Sequence, residues 1–357
     1  MGAERGAKSG SDEDEIRRGR DSEGMSDTTP QPMSLVIRQF APADYAALAE
    51  IWNANYPDYP TTPGELQIDD RDREKRCRRE RWVGEVGGRV VGFGCFDQPA
   101  TSYHPRRYSL TLSVLPDFQR RGIGSALYEC VAREVAQYDP LSLRAIAGED
   151  MAGRIRFLEA RGFRDESRCW ESELDVSRFD SAPFTGVEER IQIQGIGIRT
   201  MRELETEPDR DRKLHELISD VQADMPSPEP YTRLSYEAFL KRMRGDENLL
   251  PDAFFVAVDG GDYVGVHFLR QVPGSRALMT GDTGVTRTHR RRGLALALKL
   301  RGIGYARAHG HPFIRTLNDS SNQSILALNH RLGFRRSLAW VGFIKEFTGP
   351  STGTGGV

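Results

Sequence analysis

The sequence predicts a mixed α/β protein, a mostly antiparallel sheet with flanking helices, built twice in tandem. Three observations carry that prediction. The segment Gln119-Arg120-Arg121-Gly122-Ile123-Gly124 returns as Arg290-Arg291-Arg292-Gly293-Leu294-Ala295, each time between a β-type run and a strongly apolar helical run. The landmarks Val114, Gly122 and Gly162-Phe163 all recur 171 residues later, as Val285, Gly293 and Gly333-Phe334. A hairpin with a glycine turn precedes both loops: Trp82 to Val86, Gly87-Gly88 and Val90 to Phe96, then Phe254 to Val258, Asp259-Gly260-Gly261-Asp262 and Tyr263 to Leu269.

The elements follow in order. Leu35-Val36-Ile37-Arg38 reads as the first strand, and Pro42-Ala43-Asp44 is a helix-start signal ahead of Tyr45 to Trp52. After a loop rich in Pro and Tyr, the charged segment Asp69 to Arg81 reads as a solvated helix. Beyond the hairpin come the strand ending at Val114, the arginine-glycine loop, its helix, a short strand, another helix and a last strand. Each half therefore reads β-α-α-β-β-β-α-β-α-β. The expected organisation is a polar tail (1–33), a first domain (34–178), a linker (179–195), a second domain (196–349) opening on the strand Ile196 to Met201, and a short tail (350–357). In the second copy Ser320-Ser321-Asn322-Gln323 reads as a capping box, with Ser320 as the cap, Gln323 reaching back and Gly333 as the stop.

Composition excludes several classes. The 50 basic and 52 acidic residues nearly cancel, which argues against a nucleic-acid partner. Arg290-Arg291-Arg292, with Arg287 and His289, lacks interleaved aromatics and runs straight into an apolar helix, unlike a basic binding arm. No run of apolar residues is long enough to span a membrane and no signal core is visible, so a soluble cytoplasmic protein is expected. The four cysteines (Cys77, Cys95, Cys130, Cys169) show no CxxC spacing, which suits a reducing compartment and offers no metal site.

A loop that enters a helix can hold a pyrophosphate, because the first-turn N–H groups lack intrahelical partners and the dipole there is positive. Gly122 and Gly293 keep a Cβ from standing where a phosphate approaches, and Gly124 and Ala295 keep the next position small. With V-x-x-x-x-[QR] upstream and Arg-Gly-Phe or Leu-Gly-Phe downstream, both loops resemble the [QR]-x-x-G-x-[GA] motif of the GNAT superfamily of N-acetyltransferases. The resemblance covers both halves, and the layout is similar to bacterial tandem GNAT proteins.

That resemblance implies acetyl-CoA as acyl donor. In the first half it would be held by Leu112, Val114, Gln119, Arg120, Arg121, Gly122, Ile123 and Gly124. In the second half the corresponding residues are Thr283, Gly284, Val285, Arg290, Arg291, Arg292, Gly293, Leu294, Ala295 and Asn322. Asn322 and Asn329, seven apart, share one helix face, and their counterparts Met151 and Leu158 are apolar. The first half is therefore read as degenerate, with catalysis in the second. The position of Asn329 often carries a tyrosine acid in the family; an asparagine cannot act so, and it serves either the cleft or a core hydrogen bond.

Asp282, in Thr280-Gly281-Asp282-Thr283, is the first candidate for base or amine anchor, a solvent-facing or bulge-capping aspartate being the alternative. His267 is the second candidate. Asp224-Met225-Pro226 and Tyr231 are expected at the acceptor pocket. The expected activity is acetyl transfer from acetyl-CoA to the amine of a small molecule, or less readily of a peptide; a non-catalytic acyl-CoA sensor is the alternative. The expected assembly is a monomer, the duplication replacing a dimer, or a homodimer.

Overall fold

The computed structural model describes residues 34–347. The first half runs β1 (Leu35–Gln39), α1 (Tyr45–Asn55), α2 (Pro63–Arg71), β2 (Arg79–Val86), β3 (Arg89–Asp97), β4 (Arg107–Val114), α3 (Ile123–Ala136), β5 (Ser142–Gly148), α4 (Ala152–Glu159) and β6 (Arg164–Asp175). A connecting helix, α5 (Val187–Ile193), leads to the second half. That half repeats the order as β7 (Ile196–Thr200), α6 (Arg210–Ala223), α7 (Tyr236–Gly245), β8 (Leu249–Asp259), β9 (Asp262–Gln271), β10 (Leu278–Val285), α8 (Leu294–Ala308), β11 (Phe313–Asp319), α9 (Gln323–Arg331) and β12 (Arg335–Glu346). The tails at 1–33 and 350–357 lie outside the described residues.

All strands join one 12-stranded sheet in the order β1-β2-β3-β4-β5-β12-β6-β11-β10-β9-β8-β7. The order is a palindrome of the two copies except at its centre, where the last strands change places. The last strand of the second half, β12, pairs with β5 of the first (Trp340 with Gly148 through Glu346 with Ser142), and β6 pairs with β11 (Phe313 with Asp175 through Asp319 with Cys169). Each half thus completes its sheet with a strand of the other.

Two pairs are parallel, β4 with β5 and β10 with β11, each joined through a helix. Both pairs begin in register and then part. The first stops at Ser109 with Arg144, the second at Met279 with Arg315. Beyond those points each pair leaves a V-shaped gap. On one face α3 packs over β2 and β3, where Gly84, Gly92 and Gly94 leave room for Leu127 and Val131; α8 does the same over Gly265 through Leu298. On the other face α1 and α2 bring Leu48, Trp52 and Leu66 over Phe93 and Cys95. Buried side chains on both faces, among them Phe96, Leu127, Leu143, Phe254, Leu269 and Leu298, form the cores that fix these helices.

Three expectations change. Asp69 to Arg81 is not one helix; it holds the end of α2, a turn and the start of β2. Its charges serve a network between elements, with Arg73 and Arg79 each 3.2 Å from Asp97, and Arg79 2.9 Å from Asp70. The connection after β6 contains α5, a short helix whose Val187 and Ile191 are buried against the second core. The cap of α9 is Asn322, which accepts from Ile325 N–H at 3.3 Å, and Gln323 reaches back to the Ser320 carbonyl as a donor. Ser320 is two residues too early because Asp319 and Ser321 form their own turn first.

Candidate active site

The two arginine-glycine loops have the same backbone. Gly122 and Gly293 cap α3 and α8 at φ of 84° and 92°, and two residues earlier Arg120 and Arg291 are both at φ of 62°. A Cβ at Gly122 would meet nothing within 4 Å, so the glycine is demanded by its left-handed backbone and not by neighbouring protein, and the space over it is open to a ligand. Left-handed residues interleaved in a loop turn successive N–H groups toward one point, and the helix dipole adds to them. A carboxyl- or phosphate-bearing ligand fits both cradles.

Each loop is tied to its strand in the same way. Gln119 donates to the Val114 carbonyl at 3.0 Å, and Arg290 to the Val285 carbonyl at 3.2 Å. The C-terminal end of the first helix of each half joins in, through Asn55 of α1 and Asp224 after α6. Asn55 accepts from Gln119 at 3.0 Å, and Asp224 accepts from Arg287 at 3.0 Å and pairs with Arg290. Those two guanidiniums hold the Asp224 carboxyl below its ordinary pKa. The Asp224 carboxylate, expected at the acceptor pocket, is engaged by Arg287 and Arg290 of the loop.

The halves differ at the gap. Pairing of β4 with β3 is unbroken from Ser109 to Val114, whereas β10 carries a bulge: Thr280 faces Leu269 and Thr283 faces His267, so Gly281 and Asp282 stand opposite Phe268. A Cβ at Gly281 would lie 2.0 Å from the Phe268 ring. The bulge carries the Asp282 carboxyl toward α6, where Gln222 Nε2 donates to its Oδ2 at 2.8 Å. Burial pushes the Asp282 pKa above the usual carboxylate value, while the Gln222 hydrogen bond and the charge of Arg242 pull it down. Asp282 lines a cavity of about 160 Å³ with Ser219, Gln222, Tyr231, Arg242 and Phe268. Tyr231, expected at the acceptor pocket, lines this cavity.

His267 points to the opposite face. Its Nδ1 lies 2.8 Å from Thr283 Oγ1, and Gly302 of α8 leaves the space its ring fills, a Cβ there lying 2.5 Å from Nε2. Burial and the charge of Lys299 hold its pKa well below the ordinary value, so the ring is neutral near pH 7. On this loop-side face the second half is polar. Asn329 is buried and donates to Asn318 Oδ1 at 2.7 Å, and Thr316 is buried beside them. Asn329 is therefore the buried member of an amide pair with half-buried Asn318.

On the same face of the first half a cavity of about 690 Å³ runs from the Gln119 to Gly124 loop past Leu112 and Met151 to Leu158. One charged side chain crosses its gap. Arg154 of α4 donates through Nη1 to the Leu112 carbonyl on β4 and through Nε to the Ile146 carbonyl on β5, both at 2.8 Å. The second half has Ile325 at the corresponding place, three residues after the cap. Arg154 and Gln222 escaped the sequence reading. The signal for Arg154 was a charged residue where the other copy has isoleucine; Gln222 carried no local signal.

Among the described residues no group of side chains could hold a metal ion, and no helix is long and apolar enough to cross a membrane.

A family model described as acetyltransferase (GNAT) family matches residues 45–163 and 214–334. The mycothiol acetyltransferase of Acidothermus cellulolyticus is 27% identical over 296 residues, spanning 79% of this chain and 84% of that protein. The mycothiol acetyltransferase of a Parafrankia species is 24% identical over 287 residues, spanning 76% and 84%. Among solved structures, a tandem GNAT protein from the clavulanic acid biosynthesis pathway superposes with a TM-score of 0.67 at 23% identity, over 89% of this chain and 99% of that one. A GCN5-related N-acetyltransferase from Sphaerobacter thermophilus gives 0.61 at 20% identity, over 87% and 95%. With both copies matched by the family model, this chain is an acyltransferase that belongs to the acetyltransferase (GNAT) family.

Proposed function

We propose that the protein transfers an acetyl group from acetyl-CoA to the amine of a small molecule, and that the chemistry belongs to the second half. The observation that carries this reading is the bulge in β10, which sets the Asp282 carboxyl in a cavity on the face opposite the phosphate-type loop. In the first half the strand is straight and Thr111 stands in place of Asp282. Acetyl-CoA, when bound, supplies the thioester carbonyl that the amine attacks.

The residues of this chain would supply the rest. Arg290 to Ala295 and the first turn of α8 would take the pyrophosphate, and Thr283, Gly284 and Val285 would line the arm. An ordinary amine near pKa 10.4 is neutral about once in two to three thousand at pH 7, a cost of roughly 4 to 5 kcal/mol. Asp282 would accept that proton, its basicity raised by burial and its orientation set by Gln222. The gap between β10 and β11 lets the two substrates meet from opposite faces. That two relatives are named mycothiol acetyltransferases supports an acceptor of that kind.

The test is release of free thiol from acetyl-CoA against a panel of amines, with Gly122→Glu and Gly293→Glu beside the unaltered chain. Loss in Gly293→Glu alone is the expected result. Thiol release lost in Gly122→Glu and retained in Gly293→Glu overturns the assignment to the second half. Tight binding with no release from any amine would leave the sensor reading in its place.

A further inference from the structure

The first half carries a cavity of about 690 Å³ with a phosphate-type loop at one end and a guanidinium at the other. Arg154 reaches from α4 into the gap between β4 and β5, where the acyl end of a ligand held by Gln119 to Gly124 would arrive. Its known contacts are two backbone carbonyls and, at 5.9 Å, the Tyr56 ring; among the described residues no carboxylate pairs with it, although Asp150 lines the same cavity. The side chain is half-buried, and a cation so placed gains from a counter-charge as well as from hydrogen bonds. Two of its five N–H donors are engaged, which leaves three for a ligand.

We propose that the first half binds an acyl-CoA whose acyl chain ends in a carboxylate, such as succinyl-CoA, with Arg154 pairing to that carboxylate. A planar guanidinium matches a carboxylate in two parallel hydrogen bonds, whereas an acetyl methyl group would leave the charge unpaired. The site binds without transferring. Its gap is crossed by Arg154, its strand has no bulge, and Thr111 provides no base. The inference rests on the loop as a pyrophosphate cradle and not on which half performs acetyl transfer.

The experiment is calorimetric titration of the full chain carrying Gly293→Glu, which silences the second loop, with succinyl-CoA, acetyl-CoA and CoA. Succinyl-CoA should bind about tenfold or more tighter than acetyl-CoA, the scale of a charge-assisted hydrogen bond. Arg154→Met should remove that preference and spare acetyl-CoA affinity. Arg154→Lys, which keeps the charge without the fork, should lose most of it and covers the case in which the methionine variant does not fold. Acetyl transfer by the second half should be unchanged by Arg154→Lys in the otherwise unaltered chain, so a failure here leaves the catalytic reading standing. Equal affinities, a preference that survives both substitutions, or no binding to the Gly293→Glu chain would each overturn the proposal.

Discussion

Gln222 Nε2 donates a 2.8 Å hydrogen bond to Asp282 Oδ2, tying the last turn of α6 to the bulge in β10. The bond favours the ionised carboxylate, against the burial that disfavours it. Gln222→Leu should therefore move the acid limb of the pH profile of kcat/KM upward and lower kcat/KM at pH 7 by roughly tenfold. A pH–rate series on the two proteins checks this. An unmoved limb with reduced rate would mean that Gln222 acts only through packing.

Asp282 also has a stability signature. Its folded pKa is raised, so its contribution to stability is complete below the unfolded value and is lost as pH rises through the folded one. Asp282→Asn should raise the melting temperature at neutral pH, and the gain should vanish below about pH 3.9, the ordinary aspartate value. Thermal melts of both proteins across that range measure it.

Lys299 titrates in the other sense. It is buried in α8 with its ammonium 5.2 Å from the Phe334 ring, and burial pushes its pKa down to about 7. The associated stability is full above the unfolded value near 10.4 and is lost as pH falls to the folded one. Lys299→Met should stabilise the protein at neutral pH by on the order of a few kcal/mol, the gain shrinking steadily toward about pH 10.4. Denaturant titrations at neutral and alkaline pH test the sign.

Because β6 and β12 are exchanged, neither half keeps a complete sheet alone. A chain cut in the connection between β6 and β7 should remain one particle under native conditions, with β12 held by β5 and β6 by β11. Each fragment expressed alone should aggregate or self-associate through its unpaired edge. Gel filtration of a chain carrying a protease site between Asp180 and Gly186 reads the first outcome directly.

Much of this fold was legible because the landmarks that repeat are those local physics requires. The Gly-Gly turns recur in both hairpins, and Gly122 and Gly293 are the left-handed caps the helices need. The twofold β-α-α-β-β-β-α-β-α-β order followed from these. What escaped depends on contacts distant in sequence. Asp69 to Arg81 has the composition of a solvated helix, yet its arginines answer Asp97 on β3. The strand exchange leaves no mark in periodicity, since β6 and β12 would read the same in either partner. Asp282 was visible as a carboxylate out of place in a strand, whereas the bulge that aims it depends on Gly281 against Phe268. His267 was read as a second candidate for the work of Asp282, but it pairs with Thr283 and shares that residue's face, and alternation along β10 puts Asp282 on the other.

The central claim is that Asp282 on its bulge deprotonates the acceptor amine. It is tested most directly by acetyl-CoA turnover and acetyl-CoA affinity measured together on Asp282→Asn. The account predicts a fall in kcat of about a hundredfold or more, the scale of a lost general base, with affinity for acetyl-CoA unchanged. Turnover equal to that of the unaltered chain would contradict it.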